Sequence, residues 1–243
     1  EITLLGLLQE TGTLNMQGIN EKYIAVNPPI SEPGTGNGLT ITHYLKLNGT
    51  IDLNGESQLI QPEKSILVGS GTLERDQQGT ASSFNYNYWT SPVSTDTIPN
   101  SGYTIKEVMR DGTDPEKHES INFNYQYHHA DGAMAKPIRI STYWQNKFFG
   151  ESGKYSQWRH VGHTGVLQTG EGFSMKGSSG HSKIQELQNY TFTGFPNNGT
   201  IQLTIGKDQS YLIGNPYPSA IDGYQFILDN IKDSGGNNSQ NVF

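Results

Sequence analysis

Between Leu39 and Leu73 the apolar residues fall in short beats: Leu39/Ile41, Leu45/Leu47, Ile51/Leu53, Leu59/Ile60, Ile66/Val68 and Leu73. Each beat is too short to make one face of a helix, so the pattern predicts a series of short strands. A Gly-Thr-apolar triplet recurs at Gly49-Thr50-Ile51 and Gly71-Thr72-Leu73, 22 residues apart. That spacing resembles the coils of a right-handed parallel β-solenoid, in which each turn of chain gives short strands to stacked sheets. A plain antiparallel meander satisfies the same beats. Upstream, Ile2-Thr3-Leu4-Leu5-Gly6-Leu7-Leu8 predicts one or two strands, because Gly6 and Gly12 weaken a helix. Pro28-Pro29 and the Gly-rich run from Ser31 to Gly38 predict a loop.

Two aromatic-proline stretches follow. In Phe84-Asn85-Tyr86-Asn87-Tyr88-Trp89-Thr90-Ser91-Pro92-Val93, the rings at 84, 86 and 88 alternate with small polar residues, the period of a half-buried strand. Tyr211-Leu212-Ile213-Gly214-Asn215-Pro216-Tyr217-Pro218-Ser219 reads as a second strand entering a proline turn, with Tyr217-Pro218 a candidate cis bond. Both strands are expected in one β-domain. Further strands are expected at 84–89, 121–127, 137–144, 156–161, 165–168, 172–176, 188–194, 200–205 and 210–213. Many short strands with turns between them suggest a β-sandwich or jelly roll. Asn198-Gly199, between Phe195 and Ile201, is the strongest hairpin signal. One stretch reads as a helix, near 219–232: Ser219-Ala220-Ile221-Asp222 resembles a capping start, and Ile221, Tyr224, Ile227, Leu228 and Ile231 share a face.

The expected fold is therefore all-β. A short solenoid-like strand stack spans residues 1–80, and a sandwich-like or jelly-roll-like domain with one C-terminal helix spans 81–243. Composition agrees: 29 Gly and 11 Pro among 243 residues supply many turns. The net charge of -7 argues against nucleic acid or an anionic membrane as partner. The absence of Cys excludes disulfide staples and thiolate metal sites. No apolar run approaches the roughly 20 residues of a membrane span, so no membrane insertion is expected.

Five strings carry a family resemblance. Leu73-Glu74-Arg75-Asp76-Gln77-Gln78-Gly79-Thr80 leads into Tyr86-Asn87-Tyr88-Trp89-Thr90-Ser91-Pro92-Val93, and Gly170-Glu171-Gly172-Phe173-Ser174-Met175-Lys176-Gly177 follows. Then come Phe195-Pro196-Asn197-Asn198-Gly199 and Gly214-Asn215-Pro216-Tyr217-Pro218-Ser219-Ala220-Ile221-Asp222. In this order, from about Leu39 onward, they resemble large surface proteins of gliding and related Bacteroidetes. The resemblance implies export by the type nine secretion system, an extracellular or cell-surface location, the secretion translocon as a partner during export, and an adhesin-like role. It implies a fragment lacking the C-terminal sorting domain, and no catalytic residue. Asp96-Thr97-Ile98 resembles the O-glycosylation signal of such exported proteins, with Thr97 as acceptor.

The residues themselves offer a few chemical candidates. Trp144, Trp158, Tyr143 and Tyr155 are candidates to stack on sugar faces, since an aromatic ring combines apolar contact with a polar tip. The competing reading is that they fill a core poor in aliphatics, a reading favoured for Trp89, Trp144 and Trp158. Asp111-Gly112-Thr113-Asp114-Pro115-Glu116 gathers three carboxylates in a turn, and calcium takes six to eight oxygens in a flexible arrangement. Asp111, Asp114 and Glu116 are its candidate ligands, though the spacing departs from the usual calcium loop. His128-His129-Ala130-Asp131 and His160-Val161-Gly162-His163 have metal-like spacing, but exposed loop histidines explain them as well. Glycosidases need a carboxylate pair, and nothing in the spacing of Glu107, Asp111, Asp131, Glu151 and Glu171 forms one. No Gly-x-Ser-x-Gly elbow occurs. The expectation is a non-catalytic segment for adhesion or surface presentation, with polysaccharide or another surface component as partner and no cofactor beyond calcium. The alternative is a polysaccharide hydrolase or lyase, or its carbohydrate-binding module.

Overall fold

A computed structural model describes residues 1–24, 30–124, 131–178 and 185–230. The chain is all-β with few, short helices. It opens with two stacks of parallel strands. The first holds Ile2–Gln9, Gly38–Leu47 and, side by side on the latter, Gln58–Ile60 and Ile66–Gly69. The second holds Thr13–Met16, Thr50–Leu53 and the start of Thr72–Thr80. Register keeps like over like: Leu39 faces Leu59, Leu45 faces Leu67, and Ile51 faces Leu73. Leu39, Ile41, Leu45, Leu47, Ile51, Leu53, Leu59 and Leu73 are all at most 1% exposed. These aliphatic rows hold the stacks together by removing apolar surface from water.

The repeated Gly-Thr-apolar triplet has a backbone cause. A Cβ on Gly71 would stand 2.3 Å from the Gly49 carbonyl oxygen, and one on Gly49 would stand 2.7 Å from that of Gly12. Thr72 N–H donates to Gly49 O at 2.9 Å, and Thr50 N–H to Gly12 O at 2.9 Å. The corners stack so closely that only glycine fits. Thr50 and Thr72 stand opposite each other in adjacent strands, so this pair keeps the 22-residue period. Thr13 pairs with Thr50 across a longer connection that includes the antiparallel pair Lys22–Ile24 and Ile30–Glu32.

Strand Thr72–Thr80 links the two halves. Its start lies parallel to Thr50–Leu53, and its other edge pairs antiparallel with Leu187–Pro196 from Leu73 to Thr80. The same sheet extends to Met109–Asp111 and Glu119–Ser120, so one sheet crosses residue 80. The buried Asp76 carboxylate fastens this seam. It accepts from Asn189 Nδ2 at 3.1 Å, Thr191 Oγ1 at 3.0 Å, Gly55 N at 3.2 Å and Asn20 Nδ2 at 3.3 Å. Every donor comes from a different strand or loop around it except Asn189 and Thr191, so the charge is fully solvated by the protein.

A five-stranded sheet packs against this one. Its order is Tyr86–Trp89, Phe173–Lys176, Asn146–Glu151 and Trp158–His160, with Gln209–Tyr211 also on Asn146–Glu151. The strands of both aromatic-proline stretches thus share a sheet. One face is buried through Trp89, Phe173 and Met175. Trp89 meets Tyr190 at 5.4 Å and Phe192 at 6.0 Å between ring centroids. Asn197 ties the two proline turns: its Nδ2 donates to Ser91 O at 3.2 Å and Pro216 O at 3.0 Å, and its Oδ1 accepts from Ser94 Oγ at 2.7 Å.

Several sequence expectations are corrected here. Residues 200–205 form no strand, so Asn198-Gly199 makes no hairpin. Asn198 instead donates from Nδ2 to Ser65 O at 2.7 Å, which pulls the loop onto the parallel stack. The cis bond among the described residues is Lys136-Pro137, not Tyr217-Pro218. The helix runs Gly223–Asn230, and its cap is Asp222, whose Oδ1 accepts from Gln225 N at 2.9 Å, rather than Ser219. A one-turn helix, Ile105–Val108, is additional. Strand 137–144 shortens to Arg139–Ser141 before a 3-10 turn at Thr142–Trp144. Strand Asn146–Glu151 is absent from the expected set, because Lys147-Phe148-Phe149-Gly150 does not alternate. Among the described residues no helix is long and apolar enough to cross a membrane.

Candidate functional site

The outer face of the five-stranded sheet carries the site. Alternation puts Trp89, Phe173 and Met175 on the inner face, so Tyr86, Tyr88, Ser174 and Lys176 point outward. Tyr88 pairs with Ser174, Ser174 with Asn146, and Asn146 with His160, which makes one row across four strands. Two 3-10 turns, Thr142–Trp144 and Tyr155–Gln157, add rings at the rim. The result is a cleft of about 440 Å³ lined by Tyr86, Tyr88, Tyr143, Trp144, Tyr155 and Trp158, with Asn146, Ser174 and His160 as its polar positions. That volume falls in the range of small-ligand sites, roughly 300–1,000 Å³.

The rings are fixed by one another. Trp144 meets Tyr86 edge-on at 6.0 Å and Tyr143 edge-on at 4.6 Å. Trp158 meets Phe148 at 5.2 Å and Tyr88 at 6.3 Å. Ser174 Oγ is within hydrogen-bond reach of Trp144 O at 3.2 Å and Asn146 O at 3.3 Å, which holds the turn to the floor. His160 Nε2 lies 2.8 Å from Thr142 O and holds the same turn from the other side. Burial pushes the Tyr86 hydroxyl pKa up, with the Tyr155, Tyr88 and Tyr143 phenols adding to it. The phenols therefore converge, although Tyr155 is 85% and Tyr88 61% exposed. Rings held in place and left wet differ from core aromatics, which bury their faces.

All four aromatic candidates named from the sequence, Tyr143, Trp144, Tyr155 and Trp158, meet in this one cleft. Tyr86 and Tyr88 were read as architecture and belong to it too. Asn146, Ser174, His160 and Lys176 were not foreseen. The signal for the first three is the shared row, which no linear spacing contains. Trp89 is 7% exposed and sits in the core.

The calcium turn is corrected. Asp111 is buried, and its Oδ1 accepts from Thr113 N at 3.0 Å and Thr113 Oγ1 at 2.6 Å, while Oδ2 accepts from Ile138 N at 2.8 Å. Glu116 Oε1 accepts from Asn54 Nδ2 at 2.9 Å, and Asp114 starts a 3-10 turn over Pro115–Lys117. The Asp111 carboxylate thus serves Thr113 and the Ile138 backbone, and that of Glu116 serves Asn54, instead of converging. Among the described residues no group of three His, Asp or Glu side chains is placed to hold a metal ion. His128 and His129 lie outside the described residues, while His163 stacks on Phe123 at 5.2 Å. Glu171 is buried, paired with Lys147 Nζ at 3.0 Å, and accepts from Gln168 N at 3.0 Å. Standing two residues before strand Phe173–Lys176, whose outward residues face the cleft, it satisfies a backbone donor. Thr97 lies in an exposed bend.

A second depression, about 400 Å³, lies between Gln61, Glu63, the loop from Asn197 to Ile201 and Tyr217. Its phenol is already committed, donating from Tyr217 to Gly199 O at 2.6 Å, so the aromatic cleft is the better-built site. Compared with known families, residues 31–240 match a model described as Domain of unknown function (DUF8693). No curated protein and no solved structure matches the chain.

Proposed function

Because the chain belongs to the DUF8693 family of unknown function, we propose from the site itself that it is a carbohydrate-binding segment that holds a glycan without cleaving it. The observation that carries this reading is the ring of six solvent-facing aromatics around a polar sheet floor. Pyranose rings have apolar C–H faces and polar edges. The tyrosines and tryptophans offer the first a stacking surface, and Asn146 and the phenols offer the second donors and acceptors. Binding without cleavage is favoured because, among the described residues, no Asp or Glu lines the cleft, whereas glycoside hydrolysis needs two.

We read the parallel stacks as a short solenoid that acts as a spacer, and the two packed sheets as a sandwich that presents the cleft. The 22-residue register and the contact of Trp89 with Tyr190 and Phe192 support that architecture. Surface location, export by the type nine secretion system and an adhesive role rest on the family resemblance, and Thr97 is the proposed glycan acceptor. The test of binding is retention of the protein in affinity gels containing soluble polysaccharides, read together with the release of reducing or unsaturated ends. Retention without product is expected. Product would make the chain an enzyme, and mobility unchanged by every polysaccharide would remove the glycan reading.

A further inference from the structure

The proposed glycan reading leaves the sugar class open, and the charge around the cleft narrows it. Lys176 closes strand Phe173–Lys176 and stands opposite Tyr86 in the register, on the same face as Ser174. Its Nζ lies 3.7 Å from the centroid of the Trp144 ring and 5.4 Å from that of Tyr86. Both rings line the cleft. A cation over an aromatic face is held in place but keeps its full charge and its N–H donors. The lysines Lys46, Lys147 and Lys154 each pair with a carboxylate. Lys176 forms no ion pair among the described residues, and no Asp or Glu lines the cleft beside it. In a chain of net charge -7, an ammonium held against two of the cleft's rings, with no carboxylate in the cleft lining among the described residues, is a local reversal of sign.

We propose, resting on the glycan reading above, that the cleft takes an acidic polysaccharide, with the carboxylate or sulfate of a sugar unit received by Lys176 and the neighbouring pyranose faces stacked on Trp158 and Tyr88. The geometry separates the two tasks. Trp144 is occupied on one face by Lys176 and orients the cation, whereas Trp158, packed edge-on to Phe148, supplies the apolar platform. Charge-assisted hydrogen bonds are about twice as strong as neutral ones, so the anionic group sets preference while the rings set baseline affinity.

The experiment measures binding of the whole chain, by calorimetry, to a uronic-acid oligosaccharide (oligogalacturonate), a sulfated galactan oligosaccharide and neutral gluco-oligosaccharides of equal length. At least one acidic ligand is expected to bind about tenfold more tightly than the neutral ones at low salt, with the gap closing as ionic strength rises. Lys176→Met is expected to erase that gap by weakening acidic binding about tenfold, and Lys176→Arg to keep most of it. Melting curves on both variants check folding, and a misfolded Lys176→Met leaves the decision to Lys176→Arg and to the salt dependence of the wild type. Trp158→Ala is expected to weaken acidic and neutral ligands alike. Equal affinity for neutral and acidic ligands, or a gap that survives in Lys176→Met, would overturn the acidic assignment while keeping the glycan reading. Failure of every oligosaccharide to bind the folded wild type would overturn both.

Discussion

In the parallel stack, Leu45, Leu47, Ile51 and Leu53 are completely buried, while in the five-stranded sheet Tyr88 is 61% and Tyr155 85% exposed. The chain has only 33% hydrophobic residues; it fills the stack interior with aliphatics, buries Trp89, Phe173, Tyr190 and Phe192 elsewhere, and leaves the cleft's rings on the surface. The sheet contains its own control, because Trp89 and Tyr88 are sequence neighbours on opposite faces, one packed on Tyr190 and the other wet. The difference teaches that aromatic content alone does not mark a core. A ring that is fixed by other rings yet left in water contributes little to folding and is available for recognition.

That contrast can be broken first where it is strongest. Leu45→Ala in the stack and Trp89→Ala in the inner face are each expected to cost roughly 2–5 kcal/mol in stability by chemical denaturation. Trp158→Ala, on the outer face, is expected to shift stability by well under half as much while abolishing glycan retention. A Trp158→Ala variant as unstable as Trp89→Ala would mean that the outer rings are core after all. Next comes Asn197, which bridges the two proline turns. Asn197→Ala leaves Ser94 Oγ and the Ser91 and Pro216 carbonyls without this partner, for an expected loss of about 2–3 kcal/mol.

A smaller effect depends on pH. In the second parallel stack Asp52 lies between Asn15 and Glu74 in register. Burial, then the charges of Glu74, Asp76 and Glu116, push its pKa up to about 7, against a lowering contribution from His118. From the ordinary carboxylate range up to about 7, the folded chain holds a proton that the unfolded chain releases, so stability falls as pH rises through that window. His118, raised chiefly by its hydrogen bond to Glu74, loses its stabilising protonated pairing as pH rises above its ordinary value, with the same sign. Asp52→Asn is expected to flatten the pH dependence of Tm and to raise Tm at pH 8 by a few degrees. A Tm that climbs between pH 5 and 8 in the wild type would contradict the assignment. The smallest effect is at Thr97. Thr97→Ala should leave Tm unchanged and remove any hexose-bearing mass from the natively expressed protein.

Parts of this were legible from residue order alone. The Gly-Thr-apolar triplet carries its own explanation, since Gly49 and Gly71 meet backbone at distances that no side chain survives. The long connection between Thr13 and Thr50 hid the parallel pairing of Thr13–Met16 with Thr50–Leu53, because the insertion broke the period. Tyr86 and Tyr88 were visible as an alternating face, but alternation does not say which face has a second layer. Here the layer lies behind Trp89. The floor of the cleft was invisible, because Asn146, Ser174 and His160 meet only through cross-strand register. Asn198-Gly199 misled because the amide of Asn198 found a distant carbonyl, that of Ser65, in place of a local turn.

Strand Thr72–Thr80 has a mechanical consequence. It is joined to Leu187–Pro196 by eight consecutive register pairs, and the Asp76 carboxylate clamps its middle to both neighbours. A pull directed along this strand loads all of those hydrogen bonds in shear, together, where a pull across it would open them one at a time. Tension between the parallel stacks and the sheets packed on them loads this strand, which pairs with both, alongside the bond from Asn198 to Ser65.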